Sequence, residues 1–162
     1  MAVKLRHLNP KTLSRPRGYS HVVEATGPGR IVYIAGQLGL DREGNVVGVP
    51  GDFRAQAEQT FQNLRKALAE VGADFDDVVK LNNYLVGIEH LGALREVRDA
   101  HLKTSAPPAS TTLAISDLAR EGAMIEIEAV AVLPKARAAK PAKARRSAAK
   151  TKAKKATPRK RK

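Results

Sequence analysis

The chain has 162 residues, no cysteine, and 29 Lys and Arg against 16 Asp and Glu. A length of this order corresponds to about one domain, and the absence of cysteine excludes disulfides, thiolate metal sites and cysteine nucleophiles. No apolar run reaches the ~20 residues that span a bilayer, and Pro10 and Pro16 interrupt the N-terminal segment. We therefore expect a cytoplasmic protein that has no membrane partner and no signal peptide.

The positive charge is concentrated at one end of the chain. Residues 135–162 contain 14 Lys and Arg and no Asp or Glu, and no Val, Ile, Leu, Met, Phe or Tyr follows Leu133. Such a segment has too little apolar surface to fold by itself. We predict one folded domain over 1–134 and a disordered basic tail over 135–162. Clustered cations bind phosphate backbones without sequence selectivity, so the tail is predicted to contact DNA or RNA nonspecifically; a merely solubilising extension is the alternative.

In chain order, apolar and β-branched runs predict strands over residues 21–25, 31–36 and 46–49. Hairpin turns are predicted at 26–29 and 41–45. A helix is predicted over 52–72, because its apolar residues recur at intervals of three and four. Asp52 is a suitable N-cap and Gly72 a suitable residue just beyond the C-cap.

A strand over 78–86 and a second helix over about 90–103 follow, and Pro107 and Pro108 prevent the helix from continuing. Strands over 110–116 and 124–133 complete the domain. Hairpins mixed with two helical crossovers predict an α+β fold, in which a mixed sheet has both helices on one face.

The last strand gives information about the other face of that sheet. Alternation places Ile125 and Ile127 on one face and Glu126 and Glu128 on the other. The apolar residues Val130 and Val132 continue the glutamate face. A strand end that is apolar on both sides indicates a covered sheet, so we predict oligomerisation through this face.

Several kinds of catalytic site are not indicated by the sequence. The four histidines, at positions 7, 21, 90 and 101, do not form the i, i+4 metal-ligand pair around a Glu, and no GxSxG nucleophile elbow is present. We interpret these histidines as ordinary surface or helix-end residues and expect no metal site.

Five segments resemble the RidA/YjgF family in order and spacing. They are GY at 18–19, IAGQ at 34–37, LRKALAEVGA at 64–73, PASTT at 108–112 and IEIEAVAV at 125–132. The resemblance implies a chorismate-mutase-like fold assembled as a homotrimer, with small-molecule clefts between neighbouring subunits. It also implies hydrolysis of reactive imines and enamines to keto acids and ammonia, without a cofactor.

The same resemblance assigns roles to individual residues. Tyr19 and Gly36 match cleft-lining positions, and Glu126 matches the glutamate that positions or activates water. Other substrate-binding positions differ from the family pattern: Ser110 stands where the carboxylate-binding arginine is expected, Thr112 where a cysteine is common, and Arg95 where an asparagine is expected.

The missing arginine leaves two alternatives. A guanidinium binds a carboxylate through two parallel hydrogen bonds, which a hydroxyl cannot reproduce. Imino-acid hydrolysis therefore requires that Arg17, Arg95 or Arg98 reach the cleft. Otherwise Ser110, Thr111 and Thr112 form a neutral pocket for an uncharged ligand. The alternative function is then a non-catalytic trimeric binding protein, tethered to nucleic acid by its tail.

Overall fold

The computed structural model of the protein describes residues 3–135. Residues 136–162, which make up nearly all of the predicted basic tail, lie outside the described residues. The domain boundary and the nucleic-acid contact therefore stay predictions. Within residues 3–135, no helix has the length and apolarity needed to cross a membrane.

The described chain contains six strands and two α-helices, and the bounds of these elements follow the predictions closely after residue 50. The elements are β1 (Lys4–Leu8), β2 (Val22–Thr26), β3 (Gly29–Leu38), α1 (Phe53–Glu70), β4 (Val78–Val86), α2 (Leu91–His101), β5 (Ala109–Ile115) and β6 (Ile125–Pro134). Short 3-10 turns at Phe75–Asp77 and Ile88–His90 lead into β4 and α2.

The main sheet has the strand order β3-β6-β4-β5. The β4–β5 pair is parallel and is connected through α2, whereas β6 is antiparallel to both β3 and β4. Both helices contribute to one apolar core with β4 and β6. The predicted α+β fold, with a mixed sheet and two helices on one face, is confirmed.

The ends of α1 have the predicted caps. The Oδ1 atom of Asp52 accepts a hydrogen bond of 3.0 Å from the backbone N–H of Ala55. Gly72 lies just beyond the C-cap with φ of 76°, and its N–H donates to the carbonyl of Ala69 at 3.1 Å. Both residues thus satisfy backbone groups that the helix leaves unpaired.

Two local predictions before α1 are wrong. Residues 46–49 do not form a strand; only Val46 pairs, in an isolated bridge with Leu40, because Gly48 has φ of 80° and interrupts the extended run. The turn at 26–29 is not a hairpin turn, since β2 pairs with β1 and β3 pairs with β6.

The predicted turn at 41–45 is confirmed by hydrogen bonds from the N–H of Asp41 to Asn45 O (2.9 Å) and from Gly44 N–H to Asp41 O (3.2 Å).

The strand β1 is not among the predicted elements. It has five residues and pairs with β2 across a long intervening segment. A short, charged sequence such as KLRHL has a weak strand pattern of its own, and its partner stabilises it.

The two faces of β6 differ as the alternation predicts. Ile125, Ile127, Ala129, Ala131 and Leu133 are buried against the helices. The opposite side of the sheet, which we call the open face, is not covered by any element of residues 3–135. On that face Tyr33 is 79% exposed and Ile31 is 62% exposed, and they pair with Val130 and Val132.

A buried glutamine joins α1 to the segment that enters β6. The Gln56 side chain is 1% exposed. Its Nε2 donates to the carbonyl of Gly122 at 2.9 Å, and its Oε1 accepts from the N–H of Met124 at 2.8 Å. The side chain of Gln56 thus pairs with two backbone groups that lie just before β6 and are not paired with another strand.

We expect Gln56→Ala to lower the free energy of unfolding by about 2–4 kcal/mol, because each buried backbone group left unpaired costs about 1–3 kcal/mol. Urea denaturation measures this loss. The matched control is Gln62→Ala on the exposed side of the same helix, for which a change within about 0.5 kcal/mol is expected. Equal effects of the two substitutions would show that the paired amide is not important.

Candidate functional site

A cleft of about 310 Å³ lies between β5, α2 and the segment that precedes β2. Its lining consists of Arg17, Tyr19, Asn83, Leu91, Leu94, Arg95, Arg98, Ser110 and Thr112. We call it the arginine cleft. It brings together four of the predicted site residues, namely Tyr19, Arg95, Ser110 and Thr112.

One face of α2 forms a wall of the arginine cleft. Leu91, Leu94, Arg95 and Arg98 are spaced by three, one and three residues, which places them on the same side of a helix. Arg98 is buried and donates to Oδ1 of Asp99 from Nε at 2.9 Å and from Nη2 at 2.7 Å. A Cβ atom at Gly18 would lie 1.9 Å from Nη2 of Arg98. Gly18 also has φ of 75°, so a larger residue here would be strained and would displace the guanidinium of Arg98.

The other two arginines carry unneutralised charge. Within the part of the chain that the structure describes, the side chains of Arg17 and Arg95 make no hydrogen bond or ion pair. Arg95 is half-buried and Arg17 is exposed. The cleft that Ser110 lines is therefore not the neutral pocket that one alternative from the sequence predicts, because guanidinium groups from outside β5 line it. The other alternative from the sequence, an arginine that reaches the cleft from elsewhere, describes the structure.

Asn83 organises the hydroxyl groups of β5. Its Nδ2 lies 3.0 Å from Oγ of Ser110, 3.1 Å from Oγ1 of Thr112 and 2.9 Å from the carbonyl oxygen of Thr111. Asn83 is 3% exposed, so this arrangement is held inside the protein. The parallel register places Thr112 directly beside Asn83 and Ser110 beside Leu81.

The segment that carries Tyr19 is attached to the start of β5. Backbone N–H and Oγ of Ser20 donate to the carbonyls of Pro108 (3.0 Å) and Pro107 (2.7 Å), respectively. Proline has no N–H but keeps its carbonyl acceptor, so the two prolines that end the α2 region also bind this segment. The ring of Tyr19 packs edge-on against His21, with ring centres 5.3 Å apart.

Gly36 and Glu126 lie together, but away from the arginine cleft. A Cβ atom on Gly36 would approach Oε1 of Glu126 to 1.6 Å, so the carboxylate lies directly on the glycine. Gly36 falls where the β3–β6 register is irregular. Glu126 pairs with Tyr84 across the strands, whereas Asn83 pairs with the buried Ile127. Glu126 is therefore on the open face and the arginine cleft is on the helix side.

The second glutamate of β6 belongs to a hydrogen-bonded group. Oε2 of Glu128 accepts from Nδ2 of Asn82 at 3.2 Å and from the hydroxyl of Tyr84 at 3.1 Å. The hydrogen bond to Glu128, together with partial burial and the negative charges of Glu128 and Glu126, raises the pKa of Tyr84 above its ordinary value. The Glu126 carboxylate has no hydrogen-bond partner among residues 3–135, so it is available to a ligand or to water.

Asn83 is the site residue that the sequence analysis missed. It occupies a core-facing position of β4, between the buried residues Leu81 and Leu85. A polar residue at an apolar position of an alternating strand is the signal that identifies it. For metal binding, the described residues contain no group of three or more His, Asp or Glu side chains that could hold an ion.

Residues 11–133 match the family model described as endoribonuclease L-PSP. The chain is 37% identical to protein DfrA of Myxococcus xanthus over 114 residues, which are 70% of this chain and 84% of that protein. It is 33% identical to the 2-iminobutanoate/2-iminopropanoate deaminase of Mus musculus over 121 residues, 75% of this chain and 87% of the mouse protein.

A solved structure gives the same result for the fold. The Rid-family protein YyfB from Yersinia pestis, described as a protein of unknown function, superposes with a TM-score of 0.73 and 36% identity, covering 80% of this chain and 98% of YyfB. The fold and the matched segments thus define a Rid-type protein. The chain belongs to the endoribonuclease L-PSP family, also known as the RidA/YjgF family, as the sequence resemblance implies.

We expect Glu128→Gln to lower the pKa of Tyr84 towards its ordinary value of 10.0, because the amide keeps an acceptor but loses the negative charge. Because the pKa of Tyr84 is higher in the folded state than in the unfolded state, the protonated hydroxyl stabilises the fold fully at pH values below the unfolded-state pKa. This stabilisation is lost as pH rises through the folded-state pKa. Ultraviolet titration of tyrosinate measures the shift, and Tyr84→Phe identifies this residue among the three tyrosines. An unchanged titration in Glu128→Gln would contradict the assignment.

Proposed function

We propose that the protein is a cofactor-independent deaminase that hydrolyses small 2-imino acids and their enamine tautomers to 2-keto acids and ammonia. The observation that carries this proposal is the pair of unneutralised guanidinium groups, Arg17 and Arg95, in the cleft that Ser110 lines. The names of relatives such as the mouse deaminase support the same reaction class.

In this proposal Arg95 takes over the carboxylate-binding role from position 110. Its guanidinium reaches the same cleft from α2 rather than from β5. Planar, two-pronged donation to a carboxylate does not depend on which element carries the side chain. Ser110 and Thr112 remain as hydrogen-bonding groups beside the bound acid, and Tyr19 forms the neighbouring wall.

A complete site needs more than one copy of the chain. Glu126 and Gly36 lie on the open face, whereas the arginine cleft lies on the helix side of the same sheet. Both sets contribute to one reaction only if the open face of one subunit adjoins the cleft of the next. The exposed apolar pairs of Ile31 with Val132 and Tyr33 with Val130 support such a contact, and we propose a homotrimer.

The proposed reaction conserves all atoms and requires no redox partner. Arg95 binds the substrate carboxylate, and Glu126 of the partner subunit orients a water molecule towards the imine carbon. Glu126 accepts a proton as the C–O bond forms. Glu126 returns this proton to the nitrogen, which gives a tetrahedral intermediate with one hydroxyl and one amino group. The hydroxyl proton then moves to the nitrogen as the C–N bond breaks and the C=O bond forms, so the products are a 2-keto acid and ammonia.

We expect Glu126→Gln to reduce hydrolysis of 2-iminopropanoate by about 100-fold or more, since a positioned general base contributes about 10²–10⁴-fold. Gly36→Ala is expected to lower the rate as well, because the new methyl group occupies the position of the carboxylate. Coupled assays with enzymatically generated imine measure both rates against the spontaneous reaction.

The control for Gly36→Ala is Gly92→Ala, at an exposed position of α2 where an added Cβ contacts nothing within 4 Å. This change is expected to stabilise the helix by roughly 0.5–1 kcal/mol and to leave the rate unchanged. No acceleration by the unmodified chain would favour the non-catalytic binding function instead.

The homotrimer is tested by sedimentation of the full chain. We expect a single trimeric species, and Tyr33→Lys on the open face is expected to shift it towards smaller species, because a charge is then buried in an apolar contact. Val49→Lys changes another exposed apolar side chain, 71% exposed, outside the sheet and should leave the trimer intact. A monomeric unmodified chain would contradict the proposed assembly.

A further inference from the structure

We infer that the arginine cleft selects small acids with two anionic groups, so that dicarboxylates bind more tightly than monocarboxylates. The inference names the ligand class of the cleft; its extension to a dicarboxylic 2-imino acid as substrate rests on the proposed function. It is carried by the charges and hydrogen bonds of five residues.

Two guanidinium groups in the cleft are left without a counterion, and each can bind one anionic group of a ligand. Arg98 already has Asp99 as its counterion, so its charge is compensated inside the protein. Arg17 and Arg95 have no counterion among residues 3–135, and none of the nine residues that line the cleft is acidic. One carboxylate satisfies one guanidinium through two parallel hydrogen bonds. A ligand with a second carboxylate satisfies the other arginine as well.

Asn83 determines the direction of the hydrogen bonds that involve the hydroxyl groups of β5. The carbonyl of Thr111 can only accept, so the atom of Asn83 that lies 2.9 Å away must be the NH₂ group and not the amide oxygen. The NH₂ group has two hydrogens, so one goes to Thr111 and the other is shared between Oγ of Ser110 and Oγ1 of Thr112. Because both hydroxyl oxygens face a donor, their own O–H groups are directed elsewhere and can donate into the cleft. An ionised carboxylate has only acceptor sites, which matches these donors.

The cleft has the right size for a small diacid. Its volume of about 310 Å³ equals roughly ten water molecules at ~30 Å³ each. A four-carbon dicarboxylic imino acid has about nine non-hydrogen atoms, comparable with that number of water oxygens. Its hydrolysis would consume one water, convert C=N to C=O and release ammonia, and it needs no other reactant.

Titration calorimetry of the full chain with succinate and with propanoate, at about physiological ionic strength, tests the inference. We expect succinate to bind about 2- to 5-fold more tightly, the ratio set by one further contact to the exposed Arg17. Arg95→Gln should weaken both acids by about 10- to 100-fold. Arg17→Gln, at an exposed position, should weaken succinate by about 2- to 5-fold and leave propanoate unchanged.

Two further variants complete the test. Arg42→Gln removes an equal charge from an exposed turn outside the cleft and should change neither affinity, which controls for the loss of one positive charge at a distance from the ligand. Asn83→Leu keeps the size of the side chain and is expected to weaken both acids by releasing the hydroxyl groups. Should Asn83→Leu not fold, the arginine variants still decide the question.

The outcomes separate this inference from the proposed function. Equal affinities for the two acids, or succinate binding that Arg95→Gln and Arg17→Gln do not weaken, would overturn the inference even if 2-iminopropanoate is hydrolysed. Arginine-dependent binding of succinate without hydrolysis of any imine would support the inference and overturn the deaminase.

Discussion

The alternation of side chains along β4 and β6 is the constraint on which the rest of the molecule depends. Because successive residues of a strand point to opposite faces, Ile125 and Ile127 form the core while Glu126 stays on the open face. The same rule places Asn83 among buried groups and leaves Tyr84 on the other side. This strand pair therefore separates Asn83 from Tyr84 and Glu126, although Asn83 and Tyr84 are adjacent in sequence.

The positive charge of the arginine cleft comes from α2 and from the segment that precedes β2, not from β5. An arginine at position 110 would extend from the sheet, whereas Arg95 extends from α2 and Arg98 is held in place by Asp99 and Gly18. Ser110 and Thr112 lie beside Asn83, whose Nδ2 is 3.0 Å from Oγ of Ser110 and 3.1 Å from Oγ1 of Thr112.

Much of the fold was predictable because its signals are local. The helix α1 has caps and periodicity in its own sequence, and β4 and β6 have clear apolar patterns. The errors arose where long-range pairing decides the structure: β1 depends on β2, and residues 46–49 have strand-like side chains but no partner strand. In the candidate site, family resemblance identified Tyr19, Ser110, Thr112 and Arg95, which the cleft brings together. Asn83 was missed because its role comes from parallel contacts with β5, which appear only when the sheet is assembled.

The attachment of Ser20 to the prolines before β5 has a consequence beyond the placement of Tyr19. The strand β5 is at an edge of the main sheet, and an edge with free backbone groups is a template for unwanted strand addition. The bridge between Ser20 and Ala109, with the hydrogen bonds to the carbonyls of Pro107 and Pro108, occupies the beginning of that edge. The segment that borders the arginine cleft thus also covers the start of this edge, so substitutions in this segment are expected to affect solubility as well as the shape of the cleft.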